Sequence, residues 1–221
     1  MIPWIQLDKT SLPDGGELKL ARRGEEFSIR LNGAELMNSR LSASEEALAT
    51  LTCEKLSGRK AMQILIGGLG MGFTLRAALN VLPKDAHVTV AELLPSVVAW
   101  ARGPMAEFHG TSLDDPRVTI ETRDVAHLMR QERRWDGIML DVDNGPEAMT
   151  QAANDGLYTN TGIGNARRAL KPGGVLAVWS QGPDPAFAGR LGRAGFRVDE
   201  VKVKAHKGKT GRKHVIWLAR A

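Results

Sequence analysis

"QILIGGLGMGFTLRAAL", residues Gln63–Leu79, is a short apolar run that breaks into glycines and resumes with helical periodicity. Strand, glycine turn and helix in that order is how a backbone approaches a nucleotide. Gly68, Gly70 and Gly72 make the pattern GxGxG; in the nicotinamide pattern, GxGxxG, the third glycine counted from Gly68 would fall on Phe73. The dinucleotide pattern therefore misses, and a turn of the S-adenosylmethionine type fits. Glycine is expected here because a Cβ would collide with a cofactor lying across the turn, and because φ is positive there. The rival reading is a tight strand-to-helix turn with no ligand.

Working outward from this stretch, apolar strands alternate with helical segments. "HVTVAE", "VTIET", "DGIMLDV" and "GVLAVWS" read as further strands. "PSVVAWARGPM", with proline in its first turn, "DVAHLMRQ", "GIGNARRAL" and "DPAFAGRLGRAG" read as helices, the third ending in "KPGG". This alternation predicts a doubly wound, mostly parallel sheet. The last two strands, "FRVDEVKV" and "KHVIWLAR", have only a short basic loop between them, which only an antiparallel pair allows. The expected fold is thus α/β: a seven-stranded sheet with its last strand antiparallel, the usual frame of S-adenosylmethionine-dependent transferases. Residues 1–41 read as a small β meander ("WIQL", "GELKLAR", "EFSIRL") separated by turns at "PDGG", "RRGE" and "NGAE"; residues 42–221 form the α/β domain. "SASEEALATLTCEKL" is a helix in which Ser42 caps and Glu45 completes a capping box.

Composition excludes several classes. The single cysteine, Cys53, rules out a disulfide framework and a CxxC metal site, and no metal is expected. No apolar run approaches the roughly 18 residues of a membrane span, and no leader is read at the start, so a cytoplasmic protein is expected. A net charge of +5 hints at an anionic partner. The basic tip, with Lys202, Lys204, Lys207, Lys209, Arg212 and Lys213, lacks the aromatics of a nucleic-acid stacking platform and reads as solvated.

Acids at the strand ends carry the chemistry. Glu92 closes the second strand twenty residues after Gly72, where an acid accepts both hydroxyls of a ribose. Asp124, after the third strand, caps the next helix, contacts the adenine amino group, or does both. Gly67, Leu93 and Val125 beside these positions complete the expected cofactor-binding set. Asp141 ends the fourth strand at the switch point of the sheet, facing Gly68 and the reacting end of the cofactor, where a carboxylate can hold a cationic amine or take its proton. Asp143 is a second catalytic candidate or a solvated turn residue. The histidines, His87, His109, His127, His206 and His214, have no metal-ligand spacing. Cys53 reads as core, as do Trp100, Trp135 and Trp179, the last placed to reach the cleft.

With these residues in place, "ILIGGLGMGFTLRAAL", "VTVAELLPSVVAWAR", "RVTIETRDVAHLM", "WDGIMLDVDNGP" and "GLYTNTGIGNARRALKPGGVLAVWSQ" resemble the spermidine synthase family of aminopropyltransferases and the methyltransferase-like proteins that share its fold. The resemblance covers residues 25–182. It implies that Gly68 and Gly70 line the cofactor site, that Glu92 takes the ribose and Asp124 the adenine, and that Asp141 orients or deprotonates the attacking amine. It also puts Gln181 at a position where the family often has glutamine, and it suggests a homodimer. Departures point away from polyamines: Gly70 replaces the aspartate that binds the amine tail of decarboxylated S-adenosylmethionine, Asn144 replaces the second acid of the fourth-strand loop, "SEE" at Ser44–Glu46 replaces tyrosine–histidine–glutamate, and the final hairpin is lysine-rich. The sequence reading is a spermidine synthase-like transferase using S-adenosylmethionine or its decarboxylated form on an amine-containing small molecule. Methyl transfer is preferred, aminopropyl transfer is the runner-up, and a non-catalytic nucleoside-binding protein comes third.

Overall fold

Period-two alternation at the start of the chain folds into an antiparallel sheet of four strands in chain order: β1 (Ile5–Ser11), β2 (Glu17–Arg23), β3 (Glu26–Leu31) and β4 (Ala34–Asn38). The structure, a computed structural model, describes residues 2–12, 15–142, 155–205 and 213–221. Strand β4 corrects the sequence reading, in which "NGAE" is only a separator. Asn32 and Gly33, with φ of 49° and 87°, form a two-residue turn between paired Leu31 and Ala34, so the chain returns at once as a strand. Asn-Gly suits that turn because both central residues need positive φ.

The segment from Ser42 forms α1 (Ala43–Lys55), but not through the expected capping box. The Ser42 side chain caps no backbone N–H; its hydroxyl donates to Glu46 Oε1 at 2.8 Å. Glu45 is released from the helix terminus to turn elsewhere.

The larger sheet then builds up from β5 (Gln63–Gly67), α2 (Phe73–Val81), β6 (His87–Glu92), α3 (Pro95–Arg102), α4 (Ala106–His109), β7 (Val118–Thr122), α5 (Val125–Leu128) and β8 (Trp135–Leu140). It continues through a 3-10 turn (Asp155–Tyr158), α6 (Asn160–Ala169), β9 (Leu170–Ser180), α7 (Pro185–Arg193), β10 (Arg197–Lys204) and β11 (Lys213–Arg220). The seven strands lie in the order β10-β11-β9-β8-β5-β6-β7, with β11 antiparallel to both neighbours and the rest of the ladders parallel. "KPGG" belongs to strand β9, which begins directly after α6 with Leu170 paired to Trp135; a register shift then brings Val175 opposite Gly137.

Successive strand residues point to opposite faces, and the core divides accordingly. Ile64, Ile66 and Met139 pack on one face with α1, α2 and α3, while Leu65, Ile138 and Leu140 pack on the other with α5, α6 and α7. Leu18, Leu20 and Ile29 of the small sheet join the first core, and Trp100 Nε1 of α3 donates to Asp8 of β1 at 2.6 Å. Cys53 packs against the first core, and burial pushes its thiol up to about 12, as suits a structural residue. Among the described residues no helix is long and apolar enough to cross a membrane.

Candidate functional site

From β5 the chain turns to β6 on one side, and β8 lies on the other, so a crevice opens between the carboxyl ends of β5 and β8. Two bonds set its floor: Asp141 N–H donates to Gly67 O at 3.0 Å, and Gly68 N–H donates to Ala91 O at 2.8 Å. Gly68, Gly70 and Gly72 all have positive φ, at 90°, 48° and 70°. What a Cβ would strike, however, is the protein itself. At Gly68 it would lie 2.4 Å from the Asp141 carbonyl oxygen, and at Gly72 2.7 Å from the His109 ring. At Gly70 it would meet Met37 Sδ at 3.2 Å, so a thioether from β4 fills space beside this turn. His109 itself is buried, and desolvation, followed by the nearby Arg76 charge, pushes its imidazole down to about 4. It is a neutral wedge under the turn.

The turn opens onto a cavity of about 170 Å³. Gly68, Gly70, Gly72, Glu92, Leu93, Asp124, Val125 and Asp141, which sequence analysis assigned to one cofactor site from four separate stretches of the chain, line this one space. Gly67 does not: it ends β5 with its Cα facing Val125 and Leu140, where a Cβ would lie 3.1 to 3.2 Å from their side chains. Leu18, Ile29, Leu36 and Met37 of the small sheet supply an apolar wall.

Glu92 holds the turn in place. Its Oε2 accepts from Leu69 N and its Oε1 from Leu94 N, both at 2.9 Å. Burial pushes its carboxyl up, against the pull of the backbone N–H groups of Leu94, Leu69, Gly70 and Leu93. Glu92 also lines the cavity, so the carboxylate that anchors the turn borders the space beyond it. Asp124 caps α5 by accepting from Ala126 N at 2.7 Å and also lines the cavity, so the capping and cavity-facing positions coexist. The donor set fits an adenosyl group: acids at the tips of β6 and β7, flanked by the apolar Leu93 and Val125.

Just past β8, Asp141 Oδ2 accepts from Thr74 Oγ1 at 2.6 Å. Across from it, Glu45 lines the same cavity, with Oε2 accepting from Ser44 Oγ at 2.6 Å. Burial pushes both carboxyls above the usual range; the Asp141 charge pushes Glu45 further, and the Thr74 hydroxyl pulls Asp141 partway back. Two like charges at one buried site favour a shared proton. Sequence reasoning missed Glu45 because the Ser-x-x-Glu spacing assigned it to a helix cap. The available signal was the doublet Glu45–Glu46, which offers one acid more than a cap needs.

Trp179 lines the cavity as anticipated, its indole buried. Gln181 lies just past β9, exposed and outside the cavity lining. Asp143, the second catalytic candidate, and Asn144 lie outside the described residues, as do His206, Lys207, Lys209 and Arg212. Among the described residues no group of three or more His, Cys, Asp or Glu side chains could hold a metal ion.

No protein-family model matches the chain. It is 35% identical over 126 residues to a polyamine aminopropyltransferase of Nitrosomonas europaea, covering 55% of this chain and 36% of that protein. It is 32% identical over 131 residues to polyamine aminopropyltransferase 1 of Streptomyces coelicolor, covering 58% of this chain and 24% of that one. The chain thus spans well under half the length of these curated relatives. Among solved structures, the spermidine synthase from Thermotoga maritima superposes with a TM-score of 0.74 at 19% identity, covering 97% of this chain and 72% of that one. A 1,6-didemethyltoxoflavin-N1-methyltransferase from Burkholderia thailandensis, solved with bound S-adenosylhomocysteine, gives 0.57 at 20% identity, covering 81% and 78%. These two share the fold. In sequence and fold the chain is similar to the spermidine synthase group, on a methyltransferase-like α/β frame.

Proposed function

We propose that this chain transfers an aminopropyl group from decarboxylated S-adenosylmethionine to an amine. The observation that carries this reading is the charge of the cavity. Its described lining has four carboxyl groups, Glu45, Glu92, Asp124 and Asp141, and one cation, Arg123. Arg123 is ion-paired with Glu121 at 2.9 Å and sits at the tip of β7, three strands from β8. At about 4.8 Å per strand, that is roughly 14 Å from Asp141. The reacting end is therefore acidic. It suits a sulfonium with a free amine tail and a cationic acceptor, and it opposes a cofactor carboxylate. Two like charges about 4 Å apart repel by up to ~4 kcal/mol at an effective dielectric of about 20. The names of the relatives support the same reading over methyl transfer, which sequence analysis preferred.

In the reaction, the amine nitrogen attacks the carbon beside the sulfonium, the C–S bond breaks, and the electron pair stays on sulfur in methylthioadenosine. The chain's part is to align nucleophile and carbon and to receive the proton the amine loses. Glu92 and Asp124 fix the nucleoside, Thr74 holds Asp141, and the apolar wall from the small sheet excludes water. Methyl transfer is the second reading, favoured by one feature: Gly70 faces Met37 rather than carrying an acid of its own.

Calorimetric titration tests the choice. The decarboxylated cofactor should bind at least about tenfold more tightly than the carboxylated one, a difference of roughly 1.4 kcal/mol. Equal affinity, or a preference for the carboxylated form, would overturn the aminopropyl reading.

A further inference from the structure

Glu45 faces the cavity, but its hydrogen bond points into the protein. Ser44 Oγ lies 2.6 Å from Glu45 Oε2 and 3.0 Å from His214 Nδ1. Ser44 has no exposed surface, whereas His214, near the start of β11, is half-buried. The imidazole packs edge-on against Trp179, ring centroids 4.7 Å apart, and Trp179 itself lines the cavity. A continuous hydrogen-bonded file therefore leads from the cavity wall through a buried hydroxyl to a partly exposed imidazole. A serine hydroxyl donates and accepts at once, and imidazole has one nitrogen for each task. Those are the properties a proton wire needs.

We propose that Ser44 and His214 carry away the proton released by the transferred amine, with Glu45 as the entrance. The proposal rests on the aminopropyl-transfer reading, whose chemistry needs such an exit. After the C–N bond forms and the C–S bond breaks, the product nitrogen is a cationic ammonium. One of its N–H protons passes to the Glu45–Asp141 pair. Ser44 Oγ then accepts the proton from Glu45 while giving its own hydroxyl proton to His214 Nδ1. His214, entering as the Nε2–H tautomer, becomes imidazolium, releases the Nε2 proton to water and is left as the Nδ1–H tautomer. The proton taken from Glu45 leaves the Ser44 hydroxyl donating to Glu45 again, as in the resting structure; tautomer exchange of the half-buried imidazole with water and rotation of the hydroxyl toward Nδ1 once Glu45 is next protonated reset the file. No group is oxidised or reduced, and each proton gained is passed on.

Charged groups on the surrounding elements are Glu46, Glu54 and Lys55 on α1, Arg76 on α2, Asp141 beyond β8, Arg197, Asp199, Glu200, Lys202 and Lys204 on β10, and Lys213 and Arg220 on β11. None of them is altered in the variants that test the proposal. In His214→Ala, kcat for aminopropyl transfer should fall about tenfold, with KM for the amine within about twofold, and added imidazole should restore most of the rate. Ser44→Ala should show the same fall without rescue, because the break lies inside the file. Unchanged kcat in both folded variants, or a loss in His214→Ala that imidazole does not repair, would overturn the relay.

A second readout needs no turnover. The His214 ring proton, followed by NMR through a pH titration, should lose roughly threefold in proton affinity in Glu45→Gln, about half a pH unit. A midpoint that ignores Glu45→Gln overturns the proposal. If the wild-type protein transfers no aminopropyl group, the reading of the reaction fails on its own, and this titration still decides whether the file connects the cavity to His214.

Discussion

Strand β8 has a buried aspartate near its start, and a half-buried one follows just past its end, in opposite surroundings. Asp136, 6% exposed, accepts from Arg59 at 2.8 Å, from Lys171 at 2.7 Å and from Gln63 N at 2.9 Å. Asp141 has the Thr74 hydroxyl and faces a second carboxyl, Glu45. Burial disfavours charge at both. At Asp136 the Gln63 N–H and the two cations overcome it and hold the carboxyl below the usual range. At Asp141 burial wins, and the carboxyl rises. One end of the strand is neutralised and closed; the other keeps uncompensated acidity where ligands of this fold bind. The same residue type is thus paired with cations or left facing another acid according to which end of the strand it occupies.

The largest effect should come from the open end. Asp141→Asn should lower kcat by about 10² to 10³, measured as methylthioadenosine release, with no loss of thermal stability. A variant that kept its rate but melted early would reverse the comparison. Asp136→Asn should do the opposite: a loss of about 3 kcal/mol in denaturant unfolding, because Arg59 and Lys171 lose their counter-charge, with methylthioadenosine affinity retained. Glu92→Ala should fall between these, since the N–H groups of Leu69 and Leu94 lose their partners. We expect about 2 kcal/mol less stability together with loss of nucleoside binding by calorimetry.

The smallest effect separates the two ends by pH. Glu45 and Asp141 have folded-state values above their unfolded ones, so their contribution is full in acid and is lost as pH rises towards neutrality. Asp136 lies below its unfolded value, so its contribution is full at neutrality and is lost in acid. Glu45→Gln should therefore raise stability near pH 7 by about 1 kcal/mol and flatten the acid-side gain, leaving the Asp136-dependent loss in strong acid unchanged. Thermal melts of wild type and variant across the pH range would show it; a parallel shift at every pH would count against the carboxyl pair.

Much of the frame was legible because the signals were local and periodic. Strand alternation located β5 to β9, the short loop located the antiparallel β11, and acids at strand tips located Glu92, Asp124 and Asp141. What escaped depended on geometry between distant segments. "NGAE" carries a turn and the first residues of a strand, and only the return pairing of Leu31 with Ala34 separates them. The glycines were correctly expected at positive φ, yet their close neighbours, the Asp141 carbonyl, Met37 and His109, come from three other elements that no spacing rule connects. Glu45 was hidden by a local pattern that tertiary contacts override: its carboxyl goes to Ser44 and the cavity, not to the helix terminus.

The apolar wall of the cavity has a consequence for how such a protein diversifies. Met37 and Ile29 belong to a sheet that, among the described residues, pairs no strand with the larger one. The apolar wall and the acids across from it are therefore encoded by different stretches of the gene. Recombination or drift confined to Ala34–Asn38 leaves Glu92, Asp124 and Asp141 untouched and replaces what they look out upon. The shape of the cavity can change along such a lineage while its acids stay as they are.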